Sequence, residues 1–216
     1  MAQQSLVEIA YTKIHEKLIH AHYLPGEILS ENILAKEFNM SRTPIRGAIS
    51  RLESEGFLTS MKNRGIIVKE ISLKEALEIS QVILFLTEFT VEEVVTRGFS
   101  FNLEELKCYL DQQLQAEEND EYYNYIQNHI LFTRCMISTV NNKIMLDFMD
   151  SLKDKFVRMA MVNWRLTPQQ KHYSANQINQ FIYSALCEQD YARVKQICRD
   201  SFISTRERIF MSGLSL

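Results

Sequence analysis

Three side chains set close together carry the most specific chemistry in this sequence. They are Arg42, Thr43 and Arg46, within Ser41-Arg42-Thr43-Pro44-Ile45-Arg46. An arginine presents a rigid fork of N–H donors that can engage two acceptors on one guanine or clamp a phosphate. A threonine bonds phosphate through its hydroxyl or meets a thymine methyl with its own. Lys62 and Arg64 add two more basic groups beside Gly65. No comparable constellation serves catalysis. Glu92-Glu93 and Glu117-Glu118 are neighbours in sequence, so on a helix their carboxylates diverge and form no acid–base pair. His15, His20, His22 and His172 lack metal-ligand spacing. Cys108, Cys135, Cys187 and Cys198 lie far apart with no C-x-x-C pair, and read as reduced, mostly buried thiols. These features point away from an enzyme.

The arginines need a helix to project them from one side. Ile45, Ala48, Ile49 and Leu52 fall at i, i+3, i+4 and i+7, an apolar stripe that leaves Arg42, Thr43, Arg46 and Ser50 outward. Ser41 is placed to cap this helix, its side chain accepting from a first-turn amide. Pro44 sits in the first turn, where its missing N–H costs little. A shorter helix precedes it, Glu31 to Phe38, with Ser30 as cap and Ile33, Leu34 and Phe38 as its buried stripe. Asn39 closes that helix, since asparagine tolerates the left-handed backbone. A first amphipathic helix runs from Leu6 to His22 until Leu24-Pro25-Gly26 stops it. After Gly56, Phe57 to Ser60 and Ile66 to Lys69 read as two strands joined by Lys62-Asn63-Arg64-Gly65, a hairpin with a basic tip. Helix, turn, helix and basic hairpin, in that order, describe a winged helix-turn-helix. Its second helix would enter the DNA major groove by its N-terminal end, with the wing at phosphates or minor groove.

The whole chain suits that reading. It has 216 residues, 46% hydrophobic and 24% charged, with only 6 Gly and 3 Pro, which favours helices. The net charge of −3 argues against indiscriminate nucleic-acid binding, but the charge is unevenly placed. Residues 1–71 carry 9 Lys+Arg against 8 Asp+Glu, and residues 36–64 carry 6 against 3. A locally basic head on an acidic body fits a protein that touches phosphate with one face. No export signal follows Met1 to Gln4, and the most apolar stretch, Val82 to Phe89, is too short to span a bilayer. The chain is expected in the cytoplasm, away from membranes.

Residues 11–69 resemble the DNA-binding domain of GntR-type bacterial transcription regulators. The resemblance rests on Leu24-Pro25-Gly26-Glu27-Ile28-Leu29, Leu34-Ala35-Lys36-Glu37-Phe38, Ser41 to Arg46, Leu52-Glu53-Ser54-Glu55-Gly56-Phe57-Leu58 and the wing glycine Gly65. It implies DNA contacts from Ser41, Arg42, Thr43, Arg46, Lys62, Arg64 and Gly65. Asn32 stands where some members place a DNA-contacting arginine, and Gly47 where the family usually has an acidic residue. Gly47 is therefore expected to relax or shift base preference.

Beyond Glu70-Ile71-Ser72 the sequence reads as helices almost throughout, with breaks at Asn119-Asp120, Asn141-Asn142 and Thr167-Pro168. Helices are predicted over 74–97, 103–117, 121–140, 142–163, 168–187 and 191–211. The predicted fold is mostly α: an N-terminal winged helix-turn-helix over 1–71 and a C-terminal antiparallel bundle of six or seven helices over 72–216. Phe85, Phe89, Tyr122, Tyr125, Phe132, Phe148, Phe156, Phe181, Tyr183, Phe202 and Phe210 are assigned to its core. This half resembles the effector-binding helical domain of the FadR branch of GntR regulators, the FCD domain. The resemblance rests on Glu88, Phe132, Asn142, Ile182, Ala185-Leu186, Asp190 and Ala192. Most such domains hold a metal through one Asp and three His, and use it to bind a carboxylate effector. The corresponding positions here are His129, Thr133, Asn179 and Ser201, and the effector-binding arginine position is Leu84. That set predicts no metal and no other cofactor. The resemblance implies a ligand-responsive repressor that binds a palindromic double-stranded operator as a homodimer. Its small-molecule effector would be either apolar or acyl-type, or a polar molecule gripped by Asn179, Ser201 and Thr133. The alternative is a DNA-binding dimer whose sensor domain has lost its ligand.

Overall fold

A computed structural model of the chain describes residues 5–62, 64–70, 72–170 and 172–211, with side chains through residue 207. It is mostly helical, with one small sheet, and it divides into two compact units. One comprises Met1–Ile71 with Met161–Leu166, the other Ser72–Ala160 with Thr167–Leu216.

The first unit begins with α1, Leu6–Ile19. The Ser5 hydroxyl accepts from the Glu8 amide at 3.2 Å and caps it. Ala10, Ile14, Leu18 and Ile19 form its buried face. The helix ends before Pro25: Ala21, fully buried, takes a left-handed backbone (φ 52°) and turns the chain. Helix α2, Glu31–Glu37, is capped by Ser30 and closed by Asn39 at φ 53°. Of its expected stripe only Leu34 is buried; Ile33 is 59% exposed and Phe38 is half-buried. Seven residues make two turns, too short to bury a broad face. Helix α3, Arg42–Ser54, buries Pro44, Ile45, Ala48, Ile49 and Leu52 against α1.

The sheet has three strands where the sequence suggests two. Strand β1 is Ile28–Leu29, β2 is Leu58–Met61 and β3 is Gly65–Val68, in the order β1-β3-β2, all antiparallel. The two hairpin strands are thus each displaced by one residue from their predicted spans. Their joining turn includes Asn63, which lies outside the described residues. Gly65 is what lets β1 join. It has φ +98°, and a Cβ there would lie 2.8 Å from the Leu29 carbonyl oxygen and 2.9 Å from Ile28 Cγ2. Only glycine tolerates both the dihedral and the approach.

The second unit consists of α4 Leu73–Arg97, α5 Leu103–Glu118, α6 Tyr122–Ser138, α7 Lys143–Leu166 up to residue 160, α8 Ala175–Cys187 and α9 Tyr191–Met211. Helix α5 packs on α6 and α8, and α9 on α4 and α8. Val91, Leu106, Phe132, Met136, Ile182 and Leu186 lie at the centre of their core. Ion pairs tie the helices together at the surface: Arg134 to Asp150 (2.6 Å), Lys155 to Glu75 (2.8 Å) and Lys195 to Glu92 (2.9 Å). Glu88 accepts from Arg199 across α4 and α9. Arg158 is the fully buried cation of this unit among the described residues. Burial lowers its pKa to about 10, so it stays protonated at neutral pH.

Three expectations fail here. The segment before α8 is not helical from Pro168; the helix starts at Ala175. Tyr173 donates to Asp120 (2.8 Å), the Ala175 amide donates to the Tyr125 hydroxyl (2.9 Å), and His172 bonds the Thr167 carbonyl (2.8 Å). These contacts satisfy the chain without a helix. The aromatic core is also smaller than predicted. Tyr122, Tyr125 and Phe132 are buried, whereas Phe85, Phe89, Phe148 and Phe181 are exposed. Phe156, Tyr183 and Phe202 are half-buried, and Phe210 lies outside the described side chains. All four cysteines are free, but Cys108 and Cys187 are exposed rather than buried.

Candidate nucleic-acid interface

The N-terminus of α3 places the two arginines one turn apart on the solvent side, because the buried set behind them fixes the rotation of the helix. Arg42, Thr43, Arg46 and Ser50 are all exposed. Ser41 has the extended backbone of a cap (φ −69°, ψ 164°) but makes no side-chain cap hydrogen bond. The predicted capping bond is therefore absent, and its hydroxyl is left for an outside partner. The third arginine of α3, Arg51, turns the other way. It bonds Glu8 and Glu55 at 3.0 Å each, with its guanidinium 3.5 Å from the Tyr11 ring centroid. It ties α3 to α1 and is not part of the exposed set.

Arg42 and Arg46 share one carboxylate. Arg42 donates from Nε (3.1 Å) and Nη2 (2.8 Å) to Glu31 Oε2, and Arg46 from Nε to Oε1 (2.8 Å) and from Nη2 to Oε2 (2.9 Å). Hydrogen bonds from Arg46 and then Arg42 pull the Glu31 pKa down to about 2, so the carboxylate is charged at any physiological pH. In the sequence Glu31 stands out only as a favourable first-turn acid. Its pairing across 11 and 15 residues depends on how α2 meets α3, which no local spacing records.

Beside this cluster lies an open concavity of about 300 Å³, lined by Glu31, Asn32, Arg42, Ser60, Met61 and Gly65. The starts of α2 and α3 and the β2–β3 hairpin thus share one surface, with Lys62 and Arg64 exposed at the hairpin tip. Gly65 belongs to this surface through its backbone, and its close contact with β1 gives it a role in the fold. Gly47 is on another side: a Cβ there would stand 3.0 Å from Val7 Cγ1 of α1. Its missing side chain accommodates helix packing.

In the second unit the five predicted pocket positions are only partly gathered. His129 and Asn179 meet: Asn179 Nδ2 lies 3.1 Å from His129 Nδ1 and donates to Gln113 Oε1 at 2.7 Å. Thr133 is occupied by its own helix, donating to the His129 carbonyl at 3.1 Å. Ser201 and Leu84 enter none of these bonds. Desolvation drives the His129 pKa down to about 4, so the ring is neutral. Nδ1 accepts from the Asn179 amide and is thereby engaged within the protein. Among the described residues no three His, Cys, Asp or Glu side chains gather as a metal would require. A neutral amide, two hydroxyls and one committed imidazole do not fit the family's metal. Sequence patterns give no sign of Gln113 and Asn176. Both are buried, and Gln113 Nε2 and Asn176 Oδ1 have no hydrogen-bond partner. A buried unmet polar atom costs about 1–3 kcal/mol, which makes them candidates for a guest molecule.

The chain is similar to known proteins along most of its length. Residues 6–68 match the family model for bacterial regulatory proteins of the gntR family, and residues 78–202 match the FCD domain. Over 97 residues the chain is 31% identical to the Nta operon transcriptional regulator of Aminobacter aminovorans, covering 45% of this chain and 46% of that relative. The chain therefore spans about half the length of that protein. It is 23% identical over 206 residues to the gluconate operon transcriptional repressor of Bacillus subtilis (strain 168), covering 94% of this chain and 84% of the repressor. A solved GntR transcriptional regulator from Rhodococcus sp. RHA1 shares the fold with a TM-score of 0.79 at 18% identity, covering 99% of this chain and 100% of that one.

Proposed function

Because this chain belongs to the GntR family of bacterial regulatory proteins and carries an FCD domain, we propose that it is a ligand-responsive repressor that binds a palindromic operator as a homodimer. The observation that carries this is the exposed pair Arg42 and Arg46 at the start of α3, beside the basic hairpin tip. Residues 1–71 read DNA; residues 72–216 bind the effector and dimerise. Two copies present two α3 helices to two half-sites, so operator symmetry mirrors protein symmetry.

Exposed apolar side chains in the helical half support the dimer. Phe85 and Phe89 lie one turn apart on α4, at 68% and 40% exposure, and Ile144 and Phe148 do the same on α7 at 76% and 47%. A second copy packed on these faces would cover them.

The effector is a small uncharged molecule with both a hydrogen-bond donor and an acceptor. Gln113 Nε2 and Asn176 Oδ1 would receive it, Gln113 being bonded to Asn179 and through it to neutral His129, and Asn176 to Glu117. It shifts DNA affinity by binding one conformation better than another, a coupling of about 5- to 150-fold in this class of device.

Selection from a pool of randomised duplexes tests the DNA reading: a two-half-site palindrome is expected, and no enrichment overturns it. Sedimentation gives the oligomeric state, expected to be a dimer. A thermal-shift screen in chelator should show stabilisation by polyols or amides over sugar acids and acyl compounds. Silence across the screen would leave the helical half as a dimerisation element alone.

A further inference from the structure

We infer that Glu31 is a specificity-determining residue, which turns Arg42 and Arg46 into base-reading forks and withholds part of their charge from phosphate. The inference rests on the DNA-binding reading given above. A guanidinium has five N–H donors. Each arginine spends Nε–H and one Nη2–H on the same carboxylate. What remains on each is the outer edge, both Nη1–H groups and the second Nη2–H. That edge supplies the two parallel donors that match O6 and N7 of guanine. The side edges, which would otherwise compete for phosphate oxygens, are already occupied.

The charge balance points the same way. Two guanidinium cations and one carboxylate leave a net +1 at the tip of α3, where two free arginines would give +2. Non-specific affinity follows the number of phosphates neutralised, whereas base readout follows donor geometry. Glu31 thus lowers the first and fixes the second. Its carboxylate can do both because it stays ionised at physiological pH under the pull of both arginines. It sits in the first turn of α2, whose cap, Ser30, holds the Ile33 amide at 3.2 Å. The side chains of Arg42 and Arg46 are 59% and 65% exposed against 24% for Glu31, so the anion is the inner partner and the cations face outward. The adjoining concavity shared with Asn32 and Ser60 leaves room for a nucleic-acid backbone beside the forks.

The test is Glu31→Gln in the full-length protein, which keeps the size of the side chain and removes its charge. Binding is measured by fluorescence anisotropy on the duplex enriched by wild type from a randomised pool, and on a scrambled duplex, across a salt series. The specific-to-scrambled affinity ratio should fall about tenfold or more, since a held bidentate pair discriminates by about 5- to 150-fold. The scrambled duplex should bind at least as tightly as to wild type. Its log–log salt slope should steepen by about 0.9 as one more cation reaches phosphate. An unchanged ratio and slope overturn the inference, as does an equal loss on both duplexes, the mark of a purely structural role. If wild type itself enriches no duplex, the DNA-binding reading fails and the inference falls with it; if wild type discriminates and Glu31→Gln discriminates equally, only the inference falls.

Discussion

Gly65→Ala should open the small sheet. The substitution meets two independent costs. The backbone at φ +98° lies in a region that L residues avoid, about 1–3 kcal/mol for a residue held there. The new methyl would also stand 2.8 Å from the Leu29 carbonyl oxygen, a backbone atom in the paired strand rather than a yielding side-chain tip. Together they should destabilise the β1–β3 pairing by about 2–4 kcal/mol. The readout is amide exchange at positions that depend on this pairing: the Gly26 amide donates to the Val68 carbonyl (2.9 Å) and the Val68 amide to the Glu27 carbonyl (3.0 Å). Their protection should fall by about 30- to 1,000-fold at 1.4 kcal/mol per factor of ten. Amides in α5 and α6, which belong to the other compact unit, should keep theirs. Unchanged protection at Gly26 and Val68 would show that the strain is relieved elsewhere and refute the role given to Gly65.

Other perturbations test the remaining assignments. His129→Gln reads the half-buried, desolvated imidazole. The folded pKa of about 4 lies below the ordinary 6.5, so the unfolded chain takes up this proton first as pH falls. Wild type should therefore lose roughly 1.5 kcal/mol of stability between pH 6.5 and 5 that the variant does not lose; parallel pH profiles would contradict the burial of a neutral ring. Elemental analysis of protein purified without chelator should find no stoichiometric metal, and one equivalent of zinc or nickel would refute the donor-set argument. Gly47→Ala gains helix propensity of about 0.5–1 kcal/mol and crowds Val7, which is 38% exposed in the first turn of α1 and can rotate. The net change should be a stabilisation below about 1 kcal/mol with the same selected DNA sequence. A changed selection would support a base-preference role for Gly47.

What could be read from the sequence follows the range of the interactions involved. Helix α3 was legible because its periodicity, its proline and its closing Gly56 agree over one short stretch, and that same rotation put Arg42 and Arg46 outside. Strand β1 was not. Two residues carry no pattern, and Ile28–Leu29 exists as a strand only because Gly65 admits it. The start of α8 is not legible because Pro168 looks like a helix start, while the bonds that fix Tyr173 and Ala175 come from Asp120 and Tyr125, far away in sequence. The phenylalanines of α4 and α7 read as core residues in the sequence because composition cannot distinguish an inner apolar face from an exposed one. At the candidate interface, the basic residues were visible and the acid that holds them was not. In the helical half, sequence position singles out His129 and Asn179, whereas Gln113 and Asn176 emerge only from burial and unmet hydrogen bonds.

The central claim is that DNA is read by the start of α3, and Arg46→Ala addresses it most directly. Arg46 is exposed and contributes nothing to the buried face of its helix, so sedimentation should show the same oligomeric state as wild type. On the duplex selected by wild type, affinity measured by fluorescence anisotropy should fall by about 5- to 150-fold, with a smaller loss on scrambled DNA. Equal affinity of Arg46→Ala and wild type for the selected duplex would contradict the account.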